Sequence, residues 1–167
     1  PLALLGDFDA ELKAKVGKLV YNGLPLSDVA LDAGLRRGVL SIRSLRIDDL
    51  AGAGVTLAGT IDSAAPGFDL TNSVNAADAV RLFQLAGVAP PGGNLGGVVI
   101  HGSAKGDMAA VTLDTTITLS DAEARFAGAL DGLAGTPRVD ATISLRADSL
   151  ALLARRFGTN LPDTAHT

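Results

Sequence analysis

Residues 139–147 read VDATISLRA, and their alternation decides the fold. Val139, Ala141, Ile143 and Leu145 fall on one parity, while Asp140, Thr142, Ser144 and Arg146 fall on the other. Side chains leave a strand on alternate faces, so the segment predicts a β-strand with one dry side and one wet side. Other stretches repeat the pattern. Residues 7–13 set Phe8, Ala10 and Leu12 against Asp7, Asp9, Glu11 and Lys13. Residues 55–61 set Val55, Leu57, Gly59 and Ile61 against Thr56, Ala58 and Thr60. Residues 111–120 set Val111, Leu113, Ile117 and Leu119 against Thr112, Asp114, Thr116 and Thr118. Within 23–40, GLPLSDVALDAGLRRGVL, the residues Val29, Leu31, Ala33 and Leu35 oppose Asp28, Asp32 and Arg36 until Arg37-Gly38 interrupts. Strands wetted on one side belong to an antiparallel sheet covered on one face.

The strand at 39–47 breaks parity. Leu40 and Ile42 share one face and Leu45 and Ile47 the other, which predicts a β-bulge near Arg43-Ser44 and a bent strand. Residues 16–21 are ambiguous, because Leu19 and Tyr21 compete with Val16 and Val20 for the inner side. Two segments change period to that of a helix. In 75–87, Asn75 is placed as the cap, Ala79, Leu82, Phe83 and Ala86 form a stripe, and Gly87 closes. In 148–158, Asp148 is placed as the cap, Leu150, Leu153, Ala154 and Phe157 form the stripe, Arg155 and Arg156 suit the negative end, and Gly158 closes.

These segments recur at an offset of about 71 residues: Pro66 with Pro137, Leu82 with Leu153, Gly87 with Gly158, Pro91 with Pro162. Upstream, Val55, Leu57, Gly59 and Ile61 match Ala124, Phe126, Gly128 and Leu130. The expected organisation is a strand-rich repeat over 1–91, a second over 92–167, and one continuous sheet through both. Residues 88–96, VAPPGGNLG, are read as the linker between the copies. The fold class is mainly β: a curved antiparallel sheet, open as a groove, with two short helices.

Composition narrows the chemistry. The 167 residues are 47% hydrophobic with only 4% aromatics and no Trp, so the apolar mass is aliphatic. A net charge of −4 with scattered basic residues argues against nucleic acid as a partner. Cysteine is absent, which removes disulfides, thiolate nucleophiles and Cys-type zinc sites. No run reaches the roughly 18–20 apolar residues of a membrane span, and no signal peptide stands at the start. Because the chain opens on Pro1, it is read as a piece of something longer, with any anchor outside it.

Catalytic vocabulary is thin. His101 follows Val98-Val99-Ile100 on a predicted strand and His166 lies in the terminal DTAHT, with no Gly-x-Ser-x-Gly elbow to accompany either. Asp48-Asp49 and Asp7-x-Asp9 fit no calcium loop, and they read as solvated carboxylates at strand ends. GGNLGG at 92–97 lacks the Lys-Ser/Thr ending of a phosphate loop. Arg36-Arg37 and Arg155-Arg156 are read as a turn and a helix end before lipid-headgroup ligands. Enzyme activity, metal and cofactor are therefore not expected. The aliphatic face remains, either as an ordinary core or as an open trough for apolar ligands.

Two runs bear a family resemblance. FDAELKAKVGKLVYNGLPLSDVALDAGLRRGVLSIRSLRIDDLAGAGVTLAGTID (8–62) resembles the AsmA-like family of Gram-negative envelope proteins in its Gly-Leu-x-Leu-Ser-x-Val, its alternating strands and its Gly-rich strand. The stretch 106–158 is similar to that family's C-terminal region, with Pro137-Arg138 leading into a strand and Asp148-x-Leu150-x-x-Leu153 after it. The resemblance implies a periplasmic protein tethered to the inner membrane by a helix outside this chain. It also implies a curved sheet that conducts phospholipid acyl chains for outer-membrane lipid transport and assembly. No catalytic residues come with it. The expected lipid-contacting residues are Val29, Leu31, Leu35, Val55, Leu57, Ile61, Val111, Leu113, Ile117, Leu119, Val139, Ile143 and Leu145. The competing expectation is a structural or partner-binding β module whose edges recruit an outer-membrane assembly protein.

Overall fold

The computed structural model describes residues 9–21, 23–63, 67–85, 87–92, 95–107, 109–119, 122–132 and 136–159. Asp7, Phe8 and His166 lie outside the described residues. Nine strands follow in chain order: β1 Ala10–Tyr21, β2 Leu24–Arg36, β3 Val39–Leu50, β4 Ala53–Asp62, β5 Gly67–Ala76, β6 Val98–Gly106, β7 Ala110–Leu119, β8 Ala122–Asp131 and β9 Arg138–Ala147. Each pairs antiparallel with its neighbours in sequence, and β1 and β9 stand at opposite edges, so the sheet is open. The strand order runs unbroken through the expected repeat boundary, because β5 pairs with β6 from Phe68–Gly106 to Ala76–Val98.

Register sorts the side chains. Residues directly opposite in an antiparallel pair share a face. Tracing Val55–Val74, Val74–Ile100, Ile100–Ile117, Ile117–Ala124 and Ala124–Leu145 across five strand pairs stays on one aliphatic row. The opposite face of the same strands carries Thr56, Ser73, His101, Thr116, Arg125 and Ser144.

The bulge lies at the expected residues. On β3, Ile42 and Leu45 face Gly59 and Leu57 of β4, two residues apart, so Arg43-Ser44 oppose a single residue. Leu40, Ile42, Leu45 and Ile47 thereby all reach the apolar face. A second slip lies between Ile47 and Leu50, where Asp48-Asp49 oppose Gly54. Leu50 then faces Leu26, and Leu26 faces Leu19. This resolves residues 16–21: Val16 pairs with Val29 on the apolar side, and past the slip Leu19 takes that side over.

The two glycines matched in the repeat, Gly59 within β4 and Gly128 within β8, lie where the next strand's backbone comes close. A side chain at Gly59 (φ +140°) would overlap the Asp69 carbonyl and stand 2.8 Å from the Leu70 Cα. One at Gly128 would stand 2.5 Å from the Ala141 Cβ and 2.6 Å from its Cα. Neighbouring backbone fills the space that a Cβ needs, and glycine kinks together with bulges are how a sheet acquires curvature.

The helices are shorter than their patterns. Helix α1 is Ala79–Leu85 and α2 is Leu150–Arg156. Asn75 does not cap α1; it remains in β5 opposite Val99, and the Asp78 carboxylate accepts the Val80 amide at 2.9 Å. Likewise Ser149, not Asp148, caps α2, its hydroxyl accepting the Leu152 amide at 3.3 Å. Strand β5 runs on past Asn75 to Ala76, so a later polar side chain takes the cap of α1; β9 ends at Ala147, and the cap of α2 falls one residue beyond Asp148.

The polar face is laced with ion pairs. Arg43, thrown out by the bulge, donates from Nε to Asp32 at 2.6 Å and from Nη2 to Glu11 at 2.6 Å, which ties β1, β2 and β3 together. Arg36 adds a second contact to Glu11 at 3.1 Å. The Arg43 guanidinium is the main reason that both carboxyls are held below their usual range. Lowered acids favour the folded state while ionised, and that contribution is lost only as pH falls through the depressed values. Arg43→Met is therefore expected to raise both carboxyl pKa values towards ordinary ones, read as a shift of the Glu11 and Asp32 side-chain NMR titrations to higher pH.

Candidate functional site

The site is the apolar face. All thirteen residues selected from the sequence lie on it: Val29, Leu31 and Leu35 on β2, Val55, Leu57 and Ile61 on β4, Val111, Leu113, Ile117 and Leu119 on β7, Val139, Ile143 and Leu145 on β9. None of the thirteen is fully buried, which separates this face from an ordinary core. Ile61 keeps 39% of its surface accessible, and along β9 exposure reaches 73% at Ile143.

Apart from Ala33 on β2, burial gathers at the end that the helices cover. Ala53, Ala76, Ala79, Leu95 and Val98 form a small buried cluster, with Val74, Leu82, Phe83, Ile100 and Leu119 packed against it. The anchor is Leu95, 1% exposed and the largest fully buried side chain among the described residues. Residues 88–96, read as the linker between the copies, thus include a packed side chain. At the segment's described end the Gly96 carbonyl accepts the Ala79 amide at 2.9 Å and Arg156 donates to the Leu95 carbonyl at 3.5 Å. Arg156 thus ends its helix, as its position suggested, and also clasps the connection. A buried leucine within Gly-Gly-Asn-Leu-Gly-Gly has no periodic neighbours, so pattern reading had nothing to find.

Between α1, α2 and β6–β9 lies a cavity of about 490 Å³ that opens onto the sheet. Leu82 and Phe83 line it from α1, Leu153 and Phe157 from α2, and Ile117 and Leu145 from the sheet; every lining side chain is apolar. Its size is that of small-molecule sites, roughly 300–1,000 Å³. Only Ile117, Leu119 and Leu145 of the thirteen reach it. The others lie on the face beyond the helices.

One spot on the face is polar. Asn72 of β5 and Thr115 of β7 flank Gly102 of β6, and a Cβ at Gly102 would meet the Asn72 Oδ1 at 2.7 Å and the Thr115 Oγ1 at 3.2 Å. Across β4–β9 these are the two polar side chains among the described residues of this face. Sequence parity could have flagged both, since each replaces an aliphatic residue in an alternating run. His101 is exposed on the wet face of β6, away from the cavity. Asp48 pairs with Arg46, and Asp49 accepts the Gly52 amide at the β3–β4 turn, 2.5 Å.

Comparison with protein-family models, curated proteins and solved structures finds no match to this chain. The site's chemistry therefore rests on its geometry. Hydrocarbon is the ligand class that such a face accommodates, since each methylene buried there gains about 0.8 kcal/mol and needs no polar partner. Among the described residues no helix is long and apolar enough to cross a membrane.

Proposed function

We propose that the chain is a non-enzymatic segment of an AsmA-like envelope protein that binds or conducts phospholipid acyl chains along its apolar face. The observation that carries this reading is an aliphatic surface, continuous across nine strands, that the protein's own helices cover at one end only. Exposed apolar surface of that extent is costly in water, and its persistence points to an apolar guest. The sequence resemblance adds the setting: the periplasm, tethered to the inner membrane by a segment outside this chain, in outer-membrane lipid transport and assembly.

Native mass spectrometry after gentle extraction is expected to find phospholipid bound, and a lipid-free chain would count against the reading. Ile117→Asp and Ile61→Asp are expected to abolish crosslinking to a photoreactive phospholipid while circular dichroism keeps its strand signal. Folded variants that crosslink as well as the parent would overturn the proposal. The partner-binding reading draws on the edges of β1 and β9, which no described strand covers, and it predicts capture of an outer-membrane assembly protein without bound lipid.

A further inference from the structure

We propose that the outer edge of β9 is where two copies of this chain pair, antiparallel about a two-fold axis through Ile143, so that two open sheets join into one. The inference is independent of the lipid reading. It rests first on charge. Counting outward from Ile143, Thr142 and Ser144 come first, Asp140 and Arg146 stand three residues away, and Arg138 and Asp148 stand five away. Every acid on one side has a base at the same distance on the other. Self-pairing about Ile143 therefore sets Asp140 opposite Arg146 of the second copy and Thr142 opposite Ser144 of the second copy, each pair twice by symmetry, and brings Arg138 towards Asp148, which follows directly on the strand's last residue.

Other registers are penalised. Centring on Thr142 sets Arg138 against Arg146, and centring on Ser144 brings Asp140 towards Asp148 just past the strand's end, like charges in both cases. Half-step registers set the aliphatic side chains opposite the polar ones and split the two faces. In the favoured register Ile143 meets its own copy, Ala141 meets Leu145, and Val139 meets Ala147. Val139, Ile143 and Leu145 are 63%, 73% and 57% exposed in the single chain, so the apolar face continues across the junction and gains cover there.

The internal repeat supplies an independent precedent. Strand β9 holds the place of β5, each followed at the same spacing by its helix, at Ala79 and Leu150. Asp69 stands where Asp140 stands, and across the outer edge of β5 it pairs with Lys105 of β6 at 2.9 Å. The outer edge of the first copy thus receives a strand that brings a cation to this acid. The corresponding edge of β9 is covered by no described strand. It pairs with β8 along its whole length without a register slip, so its outer edge lacks the bulge that commonly guards exposed strands.

Light scattering on the purified 167-residue chain is expected to give twice the 16.8 kDa of one copy. Asp140→Arg sets two cations against each other twice, and Arg146→Asp does the same with acids; each alone is expected to raise the dimer dissociation constant at least about tenfold. Mixed in equal amounts, the two variants are expected to form a heterodimer, because every opposed pair then has opposite signs again. The chain has no cysteine. Ile143→Cys is therefore expected to crosslink to its copy under mild oxidation, and Ala141→Cys, whose opposite neighbour is Leu145 of the second copy, is not. A monomeric parent chain, single variants that dimerise unchanged, a mixture that stays monomeric, or equal crosslinking at both positions would each overturn the proposal, including the case in which another strand occupies this edge.

Discussion

Leu95→Ala is expected to lower folding stability by about 2–5 kcal/mol. The side chain is 1% exposed and sits among Ala53, Ala76, Ala79 and Val98, residues too small to swell into the space it would leave. The adjoining cavity increases the loss, since removing three carbons enlarges a void instead of letting the walls close. Urea unfolding should show the midpoint fall with its slope unchanged. Val88→Ala, at a position that lines the same cavity and is 54% exposed, should stay within about 0.5 kcal/mol of the parent. Equal losses in the two variants would mean that Leu95 is not the anchor of the helix-covered end.

Gly59→Val is expected to cost about 3–5 kcal/mol, or to prevent folding outright. Its φ of +140° is closed to β-branched residues, and the space for a Cβ is already filled by the backbone of Asp69 and Leu70. No rotamer relieves an overlap with main chain. Gly128→Val meets the backbone of β9 in the same way. Gly17→Val is the control, because a Cβ there meets nothing within 4 Å. Thermal melts of the three variants should separate the two bend positions from the neutral one.

Much of this architecture was legible in period-2 alternation. Val139 to Leu145, Val111 to Leu119 and Val55 to Ile61 all fall on the face that their parity assigned, because a half-wetted strand writes its orientation into every second residue. The bulge at Arg43-Ser44 was legible for the same reason: a change of parity has few other remedies. The second slip, at Asp48-Asp49, shows only as the step from Ile47 to Leu50, one aliphatic residue before the turn and too short a run to set a new parity. Caps were misplaced by three residues at Asn75 and by one at Asp148. Local sequence offers several polar candidates in each place; at Asn75 the length of β5, set by pairing with β6, rules that residue out, whereas Asp148 and Ser149 both follow the end of β9 and differ by a single step. Leu95 was illegible because its burial depends on where a glycine-rich crossing happens to land.

The linear strand order has a mechanical consequence. Among the described strands each is hydrogen-bonded to those before and after it, and within one copy β1 and β9 have a single described neighbour each. Tension on the two ends of such a chain is borne one seam at a time, like a zip opened tooth by tooth, and never shared across the whole fabric at once. A stitched ribbon of this kind yields gradually at its margins while its middle keeps its shape.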